Sequence, residues 1–167
     1  MKHKMKRNIP LEKFTKDDFA DYFKLVSNEK VMEMITERAI GAEEAKRDFE
    51  KLLENNALDK NFGHFKILDT TTNECIGLAK LEIKNIVDKQ AELGYMLLPE
   101  HWGKGIAGKV GKQLIEIAGK QKGINGIFAI IDPKNVPSRK ILINTGFVSK
   151  EFKDFDGLPG EVFELIF

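Results

Sequence analysis

The sequence holds one cysteine, Cys75, so no disulfide can form within the chain. A fold held by packing alone suits a reducing compartment, and the cytoplasm is expected. No stretch approaches the ~20 consecutive apolar residues that a membrane-spanning helix needs. Charge of one sign is missing too. With 27 Lys and Arg against 26 Asp and Glu, the formal net charge is +1. The chain as a whole therefore has no electrostatic case for nucleic acid or a membrane surface as partner. One basic cluster exists: Lys2, His3, Lys4, Lys6 and Arg7. No apolar stretch follows it, so it is no secretory signal, and it reads as a solvated terminus. Repeats, low-complexity runs and Pro/Gly/Ser linkers are also absent. What is present is 167 residues, enough for one domain with a sizeable core over residues 1–167.

The periodicity changes along the chain. "IPLEKF" suits a short strand. Thr15 then opens a helix, with Asp18 three residues on as a capping-box acid. Phe19, Tyr22, Phe23 and Val26 recur at helical spacing. Further helices are expected at "EKVMEMI" and "AEEAKRDFEKLLEN". Strand signals follow: "FGHFKILD" and "CIGLAKLEI" flank the polar "TTTN", as in a hairpin, and "AELGYMLL" runs up to Pro99. Cys75 begins one of these alternations and reads as a small, partly buried hydrophobe. Ile106, Val110, Leu114, Ile117 and Ala118 form a helical stripe. "GIFAII" reads as a strand covered on both faces, and "NVPSRKILINTGF" as a short helix ended by Gly146. "FVSKEF" and "EVFELIF" close the chain as strands joined by the loop "KDFDGLPG". The expected class is α/β (α+β): a mixed, mostly antiparallel central sheet with helices on both faces. A right-handed parallel crossover is expected around the glycine turn.

That turn, "HWGKGIAGKV" at residues 101–110, admits three readings, each with backbone N–H groups at a helix start facing phosphate. As GxxxxGK it lacks the Ser or Thr that would hold Mg²⁺, since Val110 follows Lys109. As GxGxxG it comes too late after its strand, with "PEHW" intervening, and too little chain follows for several more βα units, although Asp132 lies at a suitable distance. As Gly-x-Gly/Ala, with Gly105 and Ala107, it suits the pyrophosphate of acetyl-CoA. No metal is expected.

The surrounding residues favour the third reading. "AELGYMLLPEHWGKGIAGKVGKQLIEIA", followed by "IFAIIDPKNVPSRKILINTGF", resembles the GNAT superfamily of N-acetyltransferases. The family pattern Gln/Arg-x-x-Gly-x-Gly/Ala falls on residues 102–107. Trp102 replaces the usual Gln or Arg, and with "LLPEHWGKG" this looks like the Rim-type branch of ribosomal-protein N-terminal acetyltransferases. The likeness is sharp over residues 91–147 and looser elsewhere.

The resemblance implies direct transfer of acetyl from acetyl-CoA to a primary amine, a protein N-terminus or a small molecule, by a monomer or homodimer. It implies cofactor contacts at Trp102, Gly103, Lys104, Gly105, Ile106, Ala107, Gly108 and Lys109. It further implies that main-chain groups of Met96, Leu97 and Leu98 pair with the pantetheine arm and polarise the thioester. Asn135 aligns with the family's arm-contacting Asn, and also suits a helix N-cap. Ser138 is the candidate acid for the departing thiolate, since Leu142 stands where many members carry a tyrosine. Arg139 and Lys140 are candidates for the 3′-phosphate. Glu92 is the first choice of base, ahead of Glu82, His64, His101, Asp154 and Glu161. An acceptor groove is expected between "VMEMITERAIG" and the late loop "KDFDGLPG", with Val31, Met34 and Ile35 near an apolar wall. Two other functions fit the same residues: an acyl-CoA-binding domain without catalysis, and a nucleotide-dependent enzyme.

Overall fold

The computed structural model describes residues 8–167; the basic cluster of Lys2 to Arg7 lies outside them. The elements run β1 (Leu11–Lys13), α1 (Phe19–Val26), α2 (Glu29–Met32), α3 (Ala42–Asn56), β2 (Gly63–Leu68), β3 (Cys75–Glu82) and β4 (Gln90–Leu97). They continue with α4 (Ile106–Gly119), β5 (Gly126–Ile131), α5 (Val136–Asn144), β6 (Val148–Phe155) and β7 (Leu158–Ile166). The strands form one seven-stranded sheet in the order β1-β2-β3-β4-β5-β7-β6. Only β4 and β5 pair in parallel, joined by α4; every other neighbour is antiparallel. This is the mixed, mostly antiparallel sheet that the alternating patterns predict.

Strand alternation sends side chains to two faces, and each face has its own core. Leu81, Ala91, Leu93 and Leu97 join Val110, Leu114 and Ala118 of α4 on one side. Leu78 and Leu98 join Tyr22, Leu25, Ala45, Phe49 and Leu52 of α1 and α3 on the other. Phe14, Phe19, Tyr22 and Phe49 pack there with ring centroids 5.1–6.5 Å apart. The capping box at Thr15 is formed as the sequence predicts, the Asp18 carboxylate accepting from the Thr15 N–H at 2.8 Å.

Two expectations need correction. The helix expected over "EKVMEMI" ends at Met32. The Met32 carbonyl accepts N–H groups from Ile35, Thr36 and Glu37, and Glu37 turns left-handed at φ 62°. The chain thus leaves the helix to wall a cleft. The loop "KDFDGLPG" is a two-residue turn: β6 runs to Phe155, β7 starts at Leu158, and Asp156 and Gly157 take φ 52° and 89°. Positive φ at both positions is what an Asp-Gly hairpin turn supplies.

Candidate active site

The parallel pairing of β4 with β5 covers three residues, Gln90 to Glu92 against Gly126 to Phe128. Both strands then continue apart. The main-chain direction along β4 follows from two bonds. The Leu98 N–H donates to the Ile76 carbonyl across the β3 side, and the Lys89 carbonyl accepts from Asn125 on the β5 side. By strand alternation the even-numbered residues from 90 to 98 turn their backbone groups toward β3, and the odd-numbered ones toward β5. Past Glu92, the groups of Leu93, Tyr95 and Leu97 therefore face the gap. This corrects the expectation for Met96 and Leu98, whose backbone is committed to β3; of the three named residues Leu97 alone faces the gap. Trp102 meets it there, its indole N–H donating to the Leu97 carbonyl at 2.9 Å.

The glycine turn follows. Gly103 and Gly105 take φ 75° and 76°, a region that costs other residues about 1–2 kcal/mol. Gly105 is the N-cap of α4, no side chain caps the helix, and no acid stands in its first turn. The N–H groups of Ile106, Ala107 and Gly108 thus lack intrahelical partners, as the first groups of any helix do. A Cβ at Gly108 would meet nothing within 4 Å, so packing within the chain does not call for glycine there. Lys104 and Lys109 are exposed beside the turn. A negative group would be received by free N–H donors, the helix dipole and these lysines.

Helix α5 stands across the gap. Asn135 caps it, its Oδ1 accepting from the Ser138 N–H at 3.2 Å. Asn135 and Ser138 line a cleft of about 440 Å³ together with Tyr95, Met96, Asp132 and Leu142. Arg139 points away from this cleft. Its Nε and Nη2 donate to the Glu161 carboxylate at 3.1 and 3.3 Å, and the Ser149 hydroxyl adds a 2.6 Å bond. Glu161 is fully buried. This ion pair commits Arg139 and the buried Glu161 carboxylate to each other. Lys140 stays exposed with no ion-pair partner among the described residues.

The acceptor end of the cleft lies on the α1/α3 face. Register places His64, Lys80, Glu82 and Glu92 side by side across β2, β3 and β4. Lys80 donates to Glu92 at 2.8 Å, and His64 bonds Glu82 at 2.8 Å. The His64 bond is the main reason that the Glu82 carboxyl sits below its ordinary pKa, against the opposing effect of burial. Met34, Ile35 and Glu37 wall one side, and Phe155, Leu158 and Pro159 the other, so both expected groove segments meet here. His101 and Asp154 are not part of it: His101 sits in the turn after β4, and Asp154 accepts from the Gly157 N–H at the hairpin tip. Burial pushes the Cys75 thiol up to about 11, and Cys75 is not among the residues lining the cleft.

Residues 8–148 match the acetyltransferase (GNAT) domain. The chain belongs to the GNAT acetyltransferase family. It is 28% identical over 120 residues to "Uncharacterized N-acetyltransferase p20" of Bacillus licheniformis, covering 71% of this chain and 67% of that one. Its fold is similar to that of spermidine N-acetyltransferase from Vibrio cholerae, solved with CoA and spermine (TM-score 0.77, 19% identity, 95% of each chain). It is similar as well to RimL, a ribosomal-protein N-terminal acetyltransferase solved with coenzyme A (TM-score 0.78, 15% identity, 95% of this chain and 94% of that).

One residue of this GNAT acetyltransferase escapes a reading of its sequence. Tyr95 reads as one more apolar strand position in "GYMLL". Its hydroxyl is buried in the cleft beside Ser138, without a well-formed hydrogen bond to any group. Burial pushes the phenol above its ordinary pKa, and the neighbouring Ser138 hydroxyl works in the opposite direction. No local pattern signals this, because it arises where β4 passes α5.

Proposed function

We propose that this chain transfers acetyl from acetyl-CoA directly to a primary amine held in the cleft. The observation that carries the reading is the early end of the β4–β5 pairing, which leaves main-chain groups of Tyr95 and Leu97 facing a gap bordered by Asn135 and Ser138. The pantetheine arm pairs there as an added strand, with the Asn135 side-chain amide free to meet it. The pyrophosphate sits on the uncapped start of α4, against Gly103, Lys104, Gly105, Ile106, Ala107, Gly108 and Lys109. Trp102 closes the end of β4 onto this turn, and Lys140 serves the 3′-phosphate.

In the transfer, the Leu97 N–H stabilises the tetrahedral oxyanion. Glu92, at the mouth of the gap, receives the amine's proton directly or through water, with Lys80 holding its carboxylate in place. Ser138 protonates the departing thiolate. The acceptor class includes the protein N-terminus implied by the Rim-type motif, alongside small-molecule amines, and the active unit is a monomer or homodimer.

The test has two stages. Thermal unfolding is followed with acetyl-CoA, CoA, ATP and NAD in parallel, where a ligand at ~100 times its Kd adds about 2.7 kcal/mol. Thiol release from acetyl-CoA is then measured with spermine, ribostamycin and a ribosomal-protein N-terminal peptide. Stabilisation by CoA compounds with turnover of one amine supports the reading. Stabilisation by ATP or NAD alone overturns it. Binding of acetyl-CoA with no turnover of any amine favours a domain that binds without catalysis.

A further inference from the structure

A buried hydroxyl without a partner forfeits the hydrogen bond it made to water. Folded chains tolerate few such groups, and each calls for an explanation. The Tyr95 hydroxyl is one of two buried side-chain polar atoms without a partner among the described residues; the other is Asn55 Oδ1, outside the cleft. Tyr95 is anchored to the α4-side core through its ring, and its hydroxyl lies beside that of Ser138. Ser138 uses its N–H on Asn135, and the one side-chain group that bears on its hydroxyl is Tyr95. Two adjacent hydroxyls, the inner one buried and the outer one on a cleft-lining serine, form a chain whose open end is the cleft. Leu142, the next α5 residue along this wall, supplies no polar group.

We propose that Tyr95 is the positioning and proton-supplying residue behind Ser138, so that the two hydroxyls form a relay to the sulfur of coenzyme A. This rests on the reading of Ser138 as the group that meets the thiolate. A serine hydroxyl is a poor proton donor by itself, whereas a phenol is far more acidic than an aliphatic alcohol, even with burial raising Tyr95 above its ordinary value. When the amine nitrogen bonds to the acetyl carbon, the tetrahedral adduct collapses by breaking the C–S bond. The electron pair goes to sulfur, Ser138 passes its proton to that sulfur, and Tyr95 passes its own to Ser138. The phenolate regains a proton from solvent once the products leave. Ser138 thus ends the cycle unchanged.

The test needs no amine. CoA and desulfo-CoA, which lacks the thiol, are titrated by calorimetry at pH 7 and pH 9.5. The readout is the ratio of their affinities. Donation to the thiolate makes CoA gain on desulfo-CoA as the thiol ionises, by about tenfold in the wild type. The gain disappears in Ser138→Ala. In Tyr95→Phe it falls to about threefold or below, since the serine loses the donor that orients and polarises it. Desulfo-CoA affinity stays unchanged in Tyr95→Phe, and its Tm is equal to or above the wild-type value, because the variant removes only an unpartnered oxygen. If Tyr95→Phe keeps the full tenfold gain while Ser138→Ala loses it, the role of Tyr95 is overturned and that of Ser138 stands. If the wild type shows no gain, the Ser138 reading fails, and the relay with it. If Tyr95→Phe weakens CoA and desulfo-CoA equally, Tyr95 only shapes the gap and the relay is wrong.

Discussion

Gly108 separates what the fold needs from what the cofactor needs. It is the third residue of α4, and a Cβ there has open space around it. Alanine gains up to ~1 kcal/mol over glycine inside a helix, and somewhat less in a first turn. Gly108→Ala is therefore expected to stabilise the free protein by about 0.5–1 kcal/mol, a rise in Tm of roughly 1–4 °C for a chain of this length. Under the proposed function, the same methyl stands where the pyrophosphate approaches the N–H groups. A tenfold loss of affinity cuts the stabilisation by acetyl-CoA from about 2.7 to about 1.4 kcal/mol at a concentration ~100 times the wild-type Kd. Differential scanning fluorimetry with and without acetyl-CoA reads both effects. The free variant melts higher, and its ligand-induced shift is about half that of the wild type. A lower Tm for the free variant would show that the space around Gly108 is not open. A raised Tm with an undiminished ligand shift would show that no phosphate comes near.

Other outcomes follow from the same structure. Arg139→Ala is expected to cost more than Glu161→Ala, about 3–5 kcal/mol against roughly 2, measured by urea unfolding. The first leaves a carboxylate buried without its counterion, whereas Arg139 in the second is 41% exposed and can turn to water. Trp102→Phe removes the indole bond to the Leu97 carbonyl and lowers stability by about 1 kcal/mol; an unchanged urea midpoint would count against that bond. Because the His64 bond lowers the Glu82 carboxyl in the folded state, this pair stabilises the protein fully above the ordinary Glu range, near pH 4.5. The stabilisation is lost as pH falls through the lowered value. His64→Asn should therefore flatten the fall in Tm between about pH 5 and pH 3, and a parallel fall in both proteins would show that the pair contributes nothing.

Local physics made much of this protein legible in one dimension. The capping box at Thr15 and Asp18, the α4 stripe, the hairpin at "TTTN" and the glycine turn each depend on residues close in sequence, and each formed as the spacing predicts. Gly103 and Gly105 signal a left-handed turn because only glycine takes that conformation at little cost. A local signal is present at "DG" too, where Asp156 and Gly157 make a two-residue turn, although the flanking Gly and Pro give the segment the composition of a longer loop. The left-handed start of α4 at Gly105 and the Asn135 cap were likewise readable from sequence.

The rest was decided by the tertiary structure, because it depends on which strands become neighbours. Whether a β4 backbone group faces β3 or the gap is a matter of register with partners outside its own segment; this separates Leu97 from Met96 and Leu98. Arg139 looks like a free cation until β7 brings the buried Glu161 against it. Glu92 looks like a free carboxylate until Lys80 arrives from β3. Tyr95 looks like core until α5 sets Ser138 beside its hydroxyl. The sequence by itself determined the elements, the glycine turn and the class of chemistry they resemble. Only the packed sheet decided which polar groups are satisfied and which remain open toward a ligand, since a hydrogen bond between distant segments exists only once the fold has brought them together.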